Sequence, residues 1–537
     1  AGYAVGTYNS STLRGVSIVA STLNAGGGNI AIYGQGYHND TTNGDGVKGV
    51  GSTIQTSSTG TIDIYGVSTR GYNAVIFSAN GATGASFSGG TGAITISGTP
   101  ISGNTLSYSG VRFDNKTTLT TSGNLTITGQ SNASSGTYPA VSIGGWDIVD
   151  NVTYAGSQLT VGGNLVINAT GGTRGFGLVG DNTTITVTGN IDITASTSSA
   201  EAGITLWGTP TLKSTSGNIT LSGTTTGASY GIYLGNNSII ETDDGNIDVT
   251  ASSGSTYYGL ALDNGSKIEA SGSGSTLKIS AISSGTGGGL WMDDSAKILS
   301  TGNINIYANS GTGANGIEMN DDTRIRSTAG DVFINAIGAR GVWGNGENSQ
   351  SIRAYGDLTI HALANTYHAI YSDAANVTCT VGDICGWVSD TGNIVIKGIN
   401  SAAYAYASYL RNPIIANGTG EGKGNITYLA VSKQGGIQFD YDYGYIKAQG
   451  DINIIAYSGE SGGNAINVEQ EGPALTASDG GLIRSIAGDI TFSVYSAYNV
   501  GVYFADNDNI RIVALAGDII MQGASLSTNT NDVYNTS

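Results

Sequence analysis

Acidic residues recur in this sequence at a regular interval. Asp263 is followed by Asp293-Asp294 and Asp321-Asp322, 28 to 30 residues apart, and Asp114-Asn115, Asn236-Asn237 and Asp506 occupy similar positions. Three chemistries fit such a series. Stacked carboxylates could ligate Ca²⁺, which takes six to eight oxygens, although the Gly-Gly-x-Gly-x-Asp calcium repeat does not occur. Two carboxylates at a set separation are what glycoside hydrolysis requires, yet these recur as part of a repeat, with no singular Asp/Asp/His or Lys/Arg constellation beside them. The third reading is a turn: Asp and Asn tolerate the left-handed backbone conformation and hydrogen-bond their own main chain. The turn is the expectation, with no catalytic residue, no cofactor, and Ca²⁺ at Asp263, Asp293, Asp294, Asp321 and Asp322 as the alternative.

Other chemistry-bearing types follow the same interval. Lys267, Lys297 and Arg324, with Arg326 and Arg353 close by, form a basic series that the preceding acidic one can balance; an anionic ligand is the other use for it. Trp207, Tyr233, Trp291, Trp343, Tyr371 and Tyr503 fall on or beside one type of segment. Flat rings on a solvated face stack on sugars or meet a partner protein, but aromatics also favour strands for packing reasons alone. Cys379 and Cys385 read as a local disulfide clipping a loop, consistent with an oxidising compartment; free thiols are the alternative, and no further metal ligand stands at useful spacing. His38, His361 and His368 lack the Ser and Asp partners of a nucleophilic triad.

What positions these residues is an internal repeat. A Gly, usually followed by Asn or Asp, precedes an apolar–polar–apolar triplet, as in Gly28-Asn29-Ile30-Ala31-Ile32 and Gly123-Asn124-Leu125-Thr126-Ile127. Seventeen copies run from Gly28 to Gly517 with a mean spacing of about 31 residues, narrowing to 26–29 between Gly189 and Gly356. Each interval holds two further alternating segments. After Ile219-Thr220-Leu221 come Ile232-Tyr233-Leu234 and Ser238-Ile239-Ile240; after Leu277-Lys278-Ile279 come Leu290-Trp291-Met292 and Lys297-Ile298. Alternation with period two means one buried and one solvated face. Three short strands per turn, stacked on their equivalents in the next turn, make a right-handed parallel β-helix of about 17 coils over 1–537. At about 4.8 Å per coil this is a rod of roughly 80 Å. A lone coil cannot bury enough apolar surface to offset the entropy of ordering about 28 residues, so the coils must stack. Three intervals are enlarged: 123–163, containing Trp146-Asp147-Ile148-Val149-Asp150; 356–392, containing the cysteines; and 450–488, containing Glu469-Gln470-Glu471-Gly472-Pro473. They are expected to form loops, which in solenoids often carry recognition.

Composition sets limits. The net charge of −18, from 39 acidic and 21 basic residues, opposes nucleic acid and other polyanions as partners. No apolar run approaches the roughly 18 residues of a membrane span. Neither end carries a distinct polar cap, so the chain is expected to be an excerpt of a longer rod or a protomer that stacks end to end on copies of itself.

Gly217-Asn218-Ile219-Thr220-Leu221-Ser222-Gly223 and Gly245-Asn246-Ile247-Asp248-Val249-Thr250-Ala251 resemble the repeats of the filamentous haemagglutinin family of secreted adhesins. That likeness covers essentially the whole chain but specifies coil geometry, not a ligand. The family's Asn-Pro-Asn-Leu secretion motif is not matched; Asn412-Pro413-Ile414 is the nearest string. The resemblance implies a right-handed parallel β-helix, secretion to the cell surface, and a stalk that gives reach for adhesion. Host or biofilm glycans or surface proteins are the partners this would imply. A carbohydrate-binding aromatic stripe and a polysaccharide-cleaving β-helix enzyme are the competing expectations.

Overall fold

The computed structural model describes the chain apart from residues 1–13, 37–43, 69–71, 101–107, 133–137, 145–155, 312, 347–349, 375–385, 403–404, 441–444, 460–462, 470–482, 498, 505–510, 526–532 and 536–537. Among the described residues there is no helix, and the named strands pair in parallel. The chain divides into two compact units, Ala1–Ser255 with Leu260–Gly272, and Thr256–Gly259 with Ser273–Ser537. Each is a β-solenoid with three strands per coil, and like strands of successive coils build three parallel sheets.

The first sheet collects the strands that follow the Gly-Asn or Gly-Asp motif; the second and third collect the two strands after it. In the first unit Ile219 lies between Ile191 and Ile247 in the first sheet. Ile232 lies between Ile204 and Leu260 in the second, and Ile240 between Leu212 and Ile268 in the third. All of these point inward and are fully or almost fully buried. The second unit repeats the scheme, with Ile304 between Leu277 and Val332 and Ile325 between Ile298 and Ile352. Like side chains therefore stack on like, which is the sequence repeat expressed as packing.

The strand after the motif runs seven residues, as in Ile219–Thr225, Ile247–Ser253 and Ile304–Ser310, and so exceeds the expected triplet. Its fifth residue points inward but is small: Gly223, Ala251, Ala308. A side chain at Gly223 would meet Ile232 Cγ1 at 2.4 Å, because the sheet bends there towards the second strand. The seventh residue is a buried hydroxyl, such as Thr225 or Ser253.

The motif itself makes the corner between the third and first sheets. Asn218 N–H donates to Asn190 Oδ1 at 2.9 Å, and Asn218 Oδ1 accepts from Asn246 N–H one coil on, also at 2.9 Å. The same relay runs through Asn303, Asp331, Asp357, Asn393 and Asn425 to Asp451, Asp489 and Asp518. Asn or Asp is needed because only a short side chain with an acceptor reaches the next coil's amide. The Gly is needed because adjacent coils approach within contact at that point. A Cβ on Gly217 would lie 2.2 Å from the Gly189 carbonyl carbon, and one on Gly330 2.5 Å from that of Gly302.

A buried hydroxyl three residues before the Gly completes the corner. Ser214 Oγ donates to the Gly189 carbonyl at 2.8 Å and accepts from Gly217 N–H at 2.9 Å. Thr242, Ser327, Ser389 and Ser485 repeat both bonds. The working motif is thus Ser/Thr-x-x-Gly-Asn/Asp, and each copy satisfies backbone groups of two coils that the bend would otherwise leave buried and unbonded.

The enlarged intervals do not disturb the stacking. Leu119 pairs with Leu159, Ile352 with Trp387 and Ile446 with Ile483 across them. The loop residues singled out there (Trp146–Asp150, Cys379, Cys385 and Gln470–Pro473) lie outside the described residues, as do His38 and Asp506.

Candidate binding surface

Outward side chains of the second sheet hold the aromatic candidates, and each unit carries its own group. In the second unit a single column reads Trp291, Glu318, Trp343, Tyr371, Tyr409, Gln438, Asn467 and Tyr503. Four of the sequence-selected residues share it, but Glu318 separates Trp291 from Trp343, and Gln438 with Asn467 separates Tyr409 from Tyr503. In the first unit Tyr233 occupies the corresponding column, in register with Thr205. Trp207 lies two residues further along its strand, paired with Val179, and reaches Tyr233 only through its ring.

The rings pack on one another. Tyr371 and Tyr409 stack at 5.0 Å and 12°, with His368 tilted against both. The Arg340 guanidinium lies 4.6 Å from the Trp343 ring and 4.5 Å from the Tyr367 ring, a cation held between two π faces. Tyr258 stacks on Trp291 at 6.1 Å and donates its hydroxyl hydrogen bond to Glu318. Glu318 is buried and also accepts from Asn315 at 2.8 Å and Asn320 at 3.3 Å. This donor set satisfies the carboxylate within the sheet. In the first unit Tyr233 lies against Trp207 at 5.7 Å and Tyr230 at 5.1 Å, and its hydroxyl donates to Asp263 at 3.1 Å. Burial, reinforced by the Asp263 charge, pushes the Tyr233 phenol well above its ordinary value.

Rings stacked face to face along a column turn their edges, not their faces, to solvent. Docking of a sugar ring needs an open face, and Trp207, 41% exposed at one end of its stack, offers the best one. Tyr409, Tyr258, Tyr367 and Glu318 belong to this surface and were not singled out from sequence.

His368 Nδ1 is 3.0 Å from the Tyr406 carbonyl, which can only accept, so Nδ1 carries the proton of the neutral ring. Burial lowers the His368 pKa, opposed by that hydrogen bond and aided by the nearby Arg340 charge.

The acidic series sits at the corner between the second and third sheets. Asn236, Asn237 and Asn264 in the first unit, and Asp294 and Asp322 in the second, have positive φ of 45–60°. Asp293 Oδ1 accepts from Asp294 N–H at 2.9 Å. These are the conformation and bonding of the turn reading. Carboxylate oxygens of Asp293, Asp294 and Asp321 also lie within 4.8 Å of one another, a set that could contribute to a Ca²⁺ shell but supplies three residues of the six to eight oxygens needed.

Two members of the basic series have acidic partners outside that corner. Lys267 pairs with Glu269 and Glu241 on its own sheet, at 2.5 and 3.5 Å, rather than with the corner carboxylates. Arg353 is bidentate to Asp390, with bonds of 2.8 and 2.9 Å.

Comparison with known protein families, characterised proteins and solved structures finds no match to this chain.

Proposed function

We propose that the chain is a non-enzymatic spacer: a stretch of the stalk of a secreted bacterial surface protein, giving reach and presentation for adhesion. The observation that carries this reading is the corner relay, in which one motif is reused in coil after coil to extend a backbone scaffold. The carboxylates that could have served catalysis are engaged as turn elements, which fits a scaffold better than an active site. An epitope inserted between Gly420 and Glu421, an exposed turn with open space around Gly420, tests the location. Labelling of intact cells is expected, and labelling only after lysis would overturn the proposal.

Carbohydrate binding is the second reading, favoured by the exposed Trp207 face. On a glycan array Trp207→Ala should abolish any signal while Tyr371→Phe retains it. A signal indifferent to Trp207 would remove this reading.

A further inference from the structure

The outward face of the first sheet differs sharply between the two units. In the first unit its outermost column reads Gln35, Val67 and Thr99, then Gln130, Thr170, Ser196, Thr224 and Ser252; apart from the exposed Tyr33 and Tyr65 near its start the face is mostly polar, with Asp63, Asp192 and Asp248 on it. In the second unit the corresponding column reads Ile282, Asn309, Ile337, Leu363, Ile399, Val431, Tyr457, Tyr495 and Ala524. Leu363, Ile399 and Tyr457 are 40–42% exposed, as is Ile455 beside them. Although acidic residues outnumber basic ones 39 to 21 along the chain, none of the outward residues on these nine strands is Asp or Glu. The charged residues there are Lys278 and Lys397. Charge depletion around an apolar strip distinguishes interface cores from ordinary surface.

We propose that this face binds a second copy of the chain, side by side and not end to end. Its size fits. Eight facing strands, from Ile304–Ser310 to Ile519–Ser525, spaced about 4.8 Å apart span roughly 34 Å, and seven residues per strand span about 20 Å. That gives about 680 Å² per partner, inside the roughly 600–1,000 Å² of stable interfaces. The column also dictates the symmetry. A two-fold axis parallel to the strands lays the apolar column on itself with the coil axes antiparallel. Centred between Ile399 and Val431, it sets Ile399 against Val431, Leu363 against Tyr457 and Ile337 against Tyr495. The alternative axis, along the coils, would lay the apolar column on a mostly polar one, in which Lys278, Asn305, Thr359, Thr427, Asn453 and Thr491 outnumber Phe333, Val395 and Ile520, so the antiparallel arrangement is the one the residues fit. Such an interface is isologous and closes as a dimer. Lys397 then faces Leu429 of the second copy and not its own equivalent, so its stem packs on apolar surface while the ammonium turns towards solvent.

Sedimentation equilibrium of the full chain tests this. The wild type is expected to approach twice its 54.3 kDa mass at about 10 µM, an ordinary specific affinity. Leu363→Lys/Ile399→Lys should weaken association at least about hundredfold by placing charges against apolar side chains. Thr224→Lys, on the polar face of the first unit, should match wild type. A second assay covers the case in which the double variant does not fold: Ile399→Cys, with Cys379→Ser and Cys385→Ser, should give a covalent dimer with a short bismaleimide. A monomeric wild type, a lysine variant that associates like wild type, or no cross-linked dimer would each overturn the proposal.

Discussion

Replacing Ser214 with Ala removes one oxygen from a place where two backbone groups depend on it. The hydroxyl is fully buried, donates to Gly189 C=O and accepts from Gly217 N–H. Ala fills the space but serves neither partner, and each buried group left without a bond costs about 1–3 kcal/mol. Some relaxation is available at a corner, so the net local loss should be about 2–4 kcal/mol. In a solenoid this loss is felt by neighbouring coils rather than by the whole chain, so a global melting temperature is the wrong readout. Hydrogen exchange followed by mass spectrometry over residues 211–225 is the right one. At tenfold per 1.4 kcal/mol, protection there should fall between about thirtyfold and several hundredfold. Ser214→Thr should keep it, since Thr242 makes both bonds at the equivalent position. Protection unchanged within about threefold in the Ala variant, or lost equally in the Thr variant, would refute the reasoning.

Gly330→Ala forces a methyl to within 2.5 Å of Gly302 backbone and Asn303 Oδ1, and should cost about 1–3 kcal/mol by overpacking, read as faster exchange in the coils on either side. His368 is held neutral by burial, so its folded pKa lies below the ordinary 6.5. The unfolded chain then binds the proton first as pH falls, and the stability of that coil, complete above about pH 6.5, should decline below it; His368→Gln should flatten this dependence in exchange measurements at pH 7.5 and 5.5. Chelation with EDTA should leave the thermal unfolding profile unmoved, because the Asp293–Asp322 corner is closed by main-chain bonds; a drop of several degrees restored by Ca²⁺ would show instead that an ion completes it.

Much of the fold could be read from the chain because stacking makes sequence and space periodic together. The Gly-Asn motif marked each coil, and Ile219, Ile232 and Ile240 marked its three faces. The seven-residue strand was underestimated because its fifth inward position is Gly223 or Ala251, which does not look like core until the sharp approach of Ile232 is seen. Ser214, Thr242 and Ser327 went unnoticed because buried hydroxyls are indistinguishable by type from the Ser and Thr that cover the outside. The spacing of three residues to the Gly was the available signal. At the aromatic surface, Trp291, Trp343 and Tyr371 could be aligned by interval. Tyr409 was missed although it follows Gly392 by 17 residues, as Trp291 follows Gly274, because Tyr404 and Tyr406 offer the same ring type within the same short stretch. Glu318 gave no hint of belonging to the stack, since Tyr258 reaches it from 60 residues earlier in the chain.

Paired cysteines read the coil-to-coil register most directly. Thr220 and Asp248 are outward partners on adjacent strands of the first sheet, about 4.8 Å apart between Cα atoms and within the 4.4–6.8 Å reach of a disulfide. Thr250 is displaced two residues along the strand, at about 8 Å, beyond that reach. Mass mapping after mild oxidation should find the 220–248 bond in Thr220→Cys/Asp248→Cys and none in Thr220→Cys/Thr250→Cys. Bond formation only in the second variant would contradict the stacking on which the account rests.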